Sequence, residues 1–473
     1  MTTYRTSIRT CLLATVAGLT TFSLATPAWS TSMVDAVKTA VQSYPSIEEA
    51  SSNRRAQDYE LKQQRGLYLP SLDVSSGAGP EWTKNQTASK GKDMPRYDNR
   101  ATLSLLLFDG FGRESAIERS ASRVDAAANR VMERSEAIAA AAIEAYLDVL
   151  RNIEIVRLGE ENIAIHADLV EKVRQRYAGG QSGAGDLQQA RSRFSAAQEN
   201  VIQARKDLLD SRTNYINLIN MEPDALAPPD PLESALPATL DEAVNLALDR
   251  SPTILAASAD LDEANAAHRG AASNYWPKLS LEGTGGYNRN VSGIRGNDRD
   301  ASLMVKMSYN LYRGGIDQNR RMEMAERSGE ARAAVMRLER AVSKEVRDSW
   351  TAMETAKSRA VVLNEQVLAN AEVVVNYRQG FDIGQRDLLD LLNAENELYT
   401  SRVRSTTANY THAYSIYRTL ASAGILTASL GVPVPAESSA AAREGAGVET
   451  ERTAPFINRE QRQKATPGTT AAP

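Results

Sequence analysis

Three histidines, one cysteine and a short serine motif are the residues of this chain whose types could support chemistry. His166, His268 and His412 stand far apart on helix-patterned stretches, without HExxH spacing or a second histidine nearby. They read as surface or packing residues and not as zinc ligands or a general base. Gly180-Gln181-Ser182-Gly183-Ala184 stops one glycine short of a G-x-S-x-G nucleophile elbow, and it joins helix to helix where that elbow joins strand to helix. Gly283-Thr284-Gly285-Gly286 lacks the Lys-Ser/Thr of a phosphate loop and fits a strand in which small side chains suit crowding. The chain therefore reads as a non-enzyme, with no cofactor and no metal expected.

Two segments combine glycine with charge. Arg176-Tyr177-Ala178-Gly179-Gly180-Gln181-Ser182-Gly183-Ala184-Gly185-Asp186-Leu187 and Gln379-Gly380-Phe381-Asp382-Ile383-Gly384-Gln385-Arg386-Asp387-Leu388-Leu389-Asp390 each connect two helical patterns. Gly180, Gly183, Gly380 and Gly384 permit the left-handed conformations that a tight helix-to-helix turn demands.

The elements that position these turns are long. All 17 prolines fall within residues 27–95, 223–277 and 433–473, which leaves 96–222 and 278–432 free of them, as long helices require. Arg113 to Tyr177 would form a helix on the order of 100 Å long. Along it Ala121, Ala128, Ser135, Ala142, Val149, Val156, Ile163, Val170 and Tyr177 recur every seventh residue, a coiled-coil-like column with small residues that allow close approach. Shorter helices, Asp186 to about Asn220 and those flanking Pro45, stack end to end beside it. Residues 317–380, 387–425 and 241–274 repeat the arrangement.

The halves are copies of one unit. Pro45 and Pro252 are 207 residues apart, as are Pro70 and Pro277; Phe108 and Tyr312, and Tyr146 and Trp350, are 204 apart. Tyr177 with Tyr377 and Gly180 with Gly380 follow at 200, and Tyr215 with Tyr417 at 202, in unbroken order. The expected organisation is a first repeat over 31–222, a Pro-rich linker over 223–240, a second repeat over 241–430 and a disordered tail over 431–473, where apolar residues become sparse.

Composition bounds the partners. With 473 residues, Lys+Arg 55 against Asp+Glu 59 and a net charge of −4, the chain lacks the basic footprint of a nucleic-acid binder. Residues 1–30, with Arg5 and Arg9 before the apolar Cys11–Leu24 and small residues at Ala28 and Ser30, read as a signal peptide. Cys11 is the single cysteine, so the exported chain would have none and no disulfide. No later apolar run reaches the roughly 18 residues of a spanning helix, so a membrane crossing would have to be a β-barrel.

Hairpins occupy the right places for one. Leu72, Val74, Ser76 and Ala78, then Leu103, Leu105 and Leu107, alternate with mostly polar neighbours over about 70–108. Leu279 and Leu281, then Leu303, Val305, Met307, Tyr309 and Leu311, do the same over about 277–312. Polar, Gly-rich loops are expected over about 82–99 and 288–300. Four strands per chain cannot close a barrel, since the smallest have about eight, so several chains must contribute; three would give twelve.

The duplication, the Tyr68-Leu69-Pro70-Ser71-Leu72 and Tyr275-Trp276-Pro277-Lys278-Leu279 entries, Leu107-Phe108-Asp109-Gly110 with Leu311-Tyr312-Arg313-Gly314-Gly315, and the Tyr-x-x-Gly turns resemble the TolC family of outer-membrane channel-tunnels over about residues 33–430. The resemblance implies a mixed α and β fold, with an α-barrel tunnel continuing a trimeric 12-stranded outer-membrane β-barrel of four strands per chain. It also implies a homotrimer in outer-membrane lipid, reaching into the periplasm of a Gram-negative bacterium. Such a trimer docks onto a periplasmic adaptor (membrane fusion) protein and an inner-membrane ABC transporter or proton-driven pump, and passes protein or small-molecule cargo. In that family the turns form the periplasmic tip, where an arginine on the second turn binds a carboxylate on the first; the matching positions are Arg386 and Asp186. Asp390 matches an inward carboxylate of the aperture, Asn393 stands where a second would be, and Asp387 is the candidate to replace that charge. Phe381 stands for a tyrosine whose hydroxyl joins the latch. Leu107-Phe108-Asp109-Gly110-Phe111-Gly112, Ala145-Tyr146-Leu147-Asp148-Val149-Leu150 and the missing lipidation cysteine are more similar to the type I protein-secretion branch than to multidrug efflux ducts. The expectation of another class is a periplasmic coiled-coil adaptor without a pore.

Overall fold

The computed structural model describes residues 32–86, 91–229, 232–452 and 454–456. The expected signal peptide, with Cys11, lies outside the described residues. Helices α1 (Met33–Ser43) and α2 (Pro45–Gly66) open the fold. The Ser32 hydroxyl caps α1 by accepting from the Asp35 amide at 3.1 Å, and Pro45 begins α2 at a position whose N–H has no helical partner. Strands β1 (Ser71–Thr83) and β2 (Lys92–Phe108) lead into α3 (Gly112–Ala178) and α4 (Ala184–Ile219). The second repeat follows as α5 (Leu240–Arg250), α6 (Pro252–Ala271), β3 (Lys278–Arg289), β4 (Asn297–Ser308), α7 (Ile316–Asp382) and α8 (Leu388–Ser422). Two short helices end the described chain, α9 (Leu426–Ser429) and α10 (Ala442–Ala446).

Helices α3 and α7 have 67 residues each, about 100 Å, as the proline-free stretches lead one to expect. At the sheet end α2, α3, α6 and α7 lie side by side in that order, and at the far end the order is α4, α3, α8, α7. The exchange of partners is filled by Tyr146, Tyr215 and Tyr417, all buried, with the first two rings 6.3 Å apart. Leu226, Leu232, Ala235 and Leu236 pack there too, and the Tyr146 hydroxyl donates to the Ala227 carbonyl at 2.7 Å.

The seven-residue column holds only part way. Ala121 through Val149 are buried, Val156, Ile163 and Val170 are half-buried, and Tyr177 is exposed. Burial passes instead to Asn162, His166, Leu169 and Val173. A helix of 3.6 residues per turn drifts about 20° per heptad, so over a span this long the buried face moves off a strict sevenfold column.

Repeat spacing is also corrected. Both long helices and both partners start 204 residues apart (Gly112 with Ile316, Ala184 with Leu388), and α3 and α7 end at the same spacing. The structural counterpart of Tyr177 is therefore Phe381, and that of Gly180 is Gly384. Tyr377 lies one helical turn before Phe381 on the same face, which is how a sequence match slips by four.

The four strands form one antiparallel sheet in the order β1-β2-β3-β4. Its rows sort largely by face, with Leu106 and Met304 on the otherwise polar one. Leu72, Leu103, Gly283 and Leu303 pair across it, as do Leu105, Leu281 and Val305; Leu72, Leu303 and Val305 are exposed. The opposite face carries Asp73, Thr102, Thr284 and Ser302 in one row and Ser75, Arg100, Gly286 and Asp300 in the next. There Arg100 reaches Asp300 at 3.3 Å across β3, over Gly286, whose lack of a side chain leaves room for the Asp300 carboxylate, and Lys306 meets Glu282 at 2.6 Å. The strands run on into the loops expected over about 82–99 and 288–300: β1 continues to Thr83 and β2 starts at Lys92, while β3 continues to Arg289 and β4 starts at Asn297. Pro80 and Pro95 mimic loop residues, but they face each other in the β1–β2 register beyond Tyr97, where β2 has lost β3 and no ladder bond is sacrificed. Strand β4 ends at Ser308, so Tyr309 and Leu311, expected as strand, belong to the irregular entry to α7.

The disorder expected of 431–473 does not hold for its described part. Ala442, Ala446 and Val448 pack on Leu61, Ala121 and Val124, Phe456 packs on Ala257, Leu261 and Val335, and Arg443 and Arg452 enter ion pairs with buried carboxylates. Sparse apolar residues are compensated by complementary charge on the helices.

Candidate functional site

The two turns are built alike. In the first, Gly179 N–H donates to the Gln175 carbonyl, Gly180 N–H to Tyr177 and Gln181 N–H to Arg176, at 3.0, 3.0 and 2.8 Å. In the second, Ile383 donates to Gln379, Gly384 to Phe381 and Gln385 to Gly380, at 3.2, 3.1 and 2.8 Å. Gly180 (φ 74°) and Gly384 (φ 76°) are left-handed and close the helix carbonyls in this way. The other two glycines serve differently. Gly183 caps α4 with φ −79°, and Gly380 lies in the last turn of α7, where a Cβ would come within 2.8 Å of Arg386 Cγ.

Asp186 stands in the first turn of α4 and accepts from the Ser182 hydroxyl at 2.7 Å and the Gly183 amide at 3.0 Å. These two hydrogen bonds, the hydroxyl first, hold its pKa below the usual aspartate value. Arg386 lays its guanidinium over the Tyr377 ring, 4.5 Å from the centroid, and reaches Asp390 at 3.4 Å. Asp387 caps α8, its carbonyl accepting from the Leu391 amide at 3.4 Å. Within one chain the structure thus joins Arg386 to Asp390 and does not join it to Asp186. All four charges are exposed or half-exposed, so none is locked by burial.

Sequence reasoning missed the groups that tie the turns together. Arg176 stacks on Phe381 at 4.2 Å and donates to the Phe381 carbonyl at 2.8 Å, linking the end of α3 to the end of α7. A cation in the last turn of a helix, next to unsatisfied carbonyls, was the available signal. Phe381 itself is buried among Leu169, Val173, Leu187, Leu388, Leu391 and Leu392, an apolar setting that has no use for a tyrosine hydroxyl. Asn393, where a carboxylate was expected, accepts from Arg193 on α4 at 3.2 Å. Glu395, almost fully buried, is held by Arg378. His166 is a packing residue, as expected: it is buried, its Nδ1 has no hydrogen-bond partner, and burial first and Arg193 second hold its pKa down. No cluster of potential metal ligands occurs among the described residues.

A four-stranded sheet with one apolar face, one charged face and two open edges, set on a helical tube of about 100 Å, defines one subunit of a channel-tunnel. The profile described as Outer membrane efflux protein matches residues 36–220 and 243–424, the two repeats in turn, and the chain belongs to that family. It is 26% identical to the outer membrane efflux protein BepC of Brucella suis, over 76% of this chain and 80% of that protein. It is 22% identical to the alkaline protease secretion protein AprF of Pseudomonas aeruginosa, over 84% and 85%. The crystal structure of the outer membrane protein VceC from Vibrio cholerae shares the fold, with a TM-score of 0.71 at 16% identity over 85% of this chain and 97% of that one. The protein is an outer-membrane channel of a tripartite export system, extending into the periplasm, and not an enzyme.

Proposed function

We propose that three copies close the sheet edges into one twelve-stranded barrel and that the duct serves type I protein secretion, handing a polypeptide from an inner-membrane ABC transporter and a periplasmic adaptor to the cell exterior. The observation that carries the conduit is the two-faced, open-edged sheet, whose apolar rows suit lipid and whose charged rows suit a wet lumen. The secretion branch is supported by Leu107-Phe108-Asp109-Gly110-Phe111-Gly112, in which the Asp109 carboxylate accepts from the Arg113 amide at 2.9 Å and so starts α3, and by the likeness to a protein named for alkaline protease secretion.

The tip is the gate of this duct. Asp186 and Arg386, unpaired with each other in one chain, meet between chains, and Asp390 and Asp387 line the aperture. Each exposed pair is worth about 1 kcal/mol or less, so a ring of them closes the tip without sealing it permanently. Exit from a drug efflux pump is the second reading, favoured by the likeness to a protein named for efflux. Comparing the secreted proteome and the dye and detergent susceptibility of a deletion strain with its parent decides between them. Loss of a large exported protein, restored by the gene, is the expected result; an unchanged secretome with strong drug sensitivity assigns the duct to efflux.

A further inference from the structure

Three carboxylates on three helices are buried at the sheet end of the tube: Asp125 on α3, Asp262 on α6 and Glu339 on α7. Buried carboxylates are costly unless fully partnered, and here one stretch of chain supplies an arginine and a backbone amide to each of the three. The segment after α9 runs across the helices in their lateral order. Glu437 takes Arg55 of α2 at 2.6 Å. The Ala442 and Arg443 amides donate to Asp125 at 2.8 and 3.1 Å, and the Arg443 guanidinium bridges Asp125 at 3.1 Å and Asp262 at 2.6 Å. The Glu451 amide donates to Asp262 at 3.2 Å. Arg452 then binds Glu339 at 3.0 Å and the Leu248 carbonyl at 2.6 Å, and the Phe456 amide closes on Glu339 at 3.0 Å.

We propose that residues 432–452, with 454–456, are a transverse clamp, a peptide seated in an arginine-receiving groove formed by both repeats, and that its seating fixes the spacing of the first-repeat helices from the second-repeat helices at this level of the tube. A single guanidinium shared by Asp125 and Asp262 ties α3 to α6, which no backbone hydrogen bond can do between two helices. Arg452 extends the tie to α7 and to the end of α5. An ammonium has neither the fork nor the reach to serve two carboxylates in this geometry. The clamp is set apart from the tip by most of the length of α3, so tube spacing and aperture closure are controlled at different places on the same helices. The inference concerns the tube's construction and is independent of which cargo the duct carries.

Hydrogen exchange on the full-length, detergent-solubilised channel tests it. Arg443→Ala is expected to speed exchange of the amides around Asp125 and Asp262 on the order of a hundredfold, with the tip amides around Asp186 unchanged. Arg452→Ala is expected to act around Glu339 instead. Guanidinium ion added at a non-denaturing concentration is expected to restore protection to Arg443→Ala, because it refills the shared site, and to leave the wild type unchanged. Arg443→Lys, which keeps the charge, covers the case in which the alanine variant fails to assemble, and it should leave α6 deprotected while α3 stays protected. Unchanged exchange around Asp125 and Asp262, equal acceleration at the sheet, clamp and tip, or a lysine variant as protected as the wild type on both helices would each overturn the clamp.

Discussion

The clamp and the tip are built from the same residue types with opposite engineering. At the clamp, Asp125, Asp262 and Glu339 are buried, each meets an arginine from a distant stretch of sequence, and every one also takes a backbone amide. At the tip, Asp186, Arg386, Asp387 and Asp390 are exposed or half-exposed and bond only within their own turn. Buried, doubly partnered charges hold a geometry because any separation strands a charge in an apolar setting; exposed local pairs are screened and exchange easily with water. On the reading proposed above, one end of the duct keeps its shape and the other changes it.

Four measurements separate these behaviours. The largest effect is expected from Glu339→Ala, which strands the buried Arg452: a loss of about 3–5 kcal/mol in denaturant unfolding, against a negligible loss for Asp390→Ala. A comparable loss at both sites removes the distinction. Next, Gly384→Ala places a Cβ on a backbone at φ 76° and is expected to cost about 1–2 kcal/mol, visible as faster proteolysis at the tip with no change in the clamp. Arg386→Ala is expected to change stability by less than about 0.5 kcal/mol yet to raise single-channel conductance in planar bilayers; unchanged conductance removes the arginine from the gate.

The smallest effect is on pH dependence, and its sign differs between regions. Asp186 has a lowered pKa, so its contribution is fully present above the ordinary aspartate pKa and is lost as pH falls through the lower folded value. Glu136, buried in α3 where it accepts from the Leu426 and Thr427 amides at 2.9 and 3.0 Å, has its pKa raised by burial above 4.5. The folded state then holds its proton more tightly, and stability falls as pH rises from 4.5 through the folded value. Asp186→Asn should flatten the acid loss of tip protection, and Glu136→Gln should flatten the opposing slope in global stability. Slopes of the same sign in the two variants would contradict the assignment.

Much of this was legible in the residues. Proline-free stretches gave the long helices nearly to the residue, since one interior proline costs about 3 kcal/mol and none could be hidden. Alternation located all four strands but shortened them, because Pro80, Pro95 and the charges of the lumen-side rows look like loop when pairing is unseen. The two helix-to-helix turns fall where the glycines put them, yet their internal bonding was not legible, because Arg176 contacts Phe381 only after two repeats fold together. The clamp was illegible for the same reason: Arg443 and Arg452 sit in a tail whose composition alone predicts disorder, and their carboxylates lie on three helices far away in sequence.

The equal length of α3 and α7 has a consequence at the level of the gene. Inserting one codon in either helix would lengthen it by about 1.5 Å and turn everything beyond it by about 100°. The two turns would then end at different heights, with Arg176 no longer opposite Phe381. Changes in length are therefore tolerable only in matched pairs, one in each half, so the two halves must gain or lose residues together even as their side chains diverge.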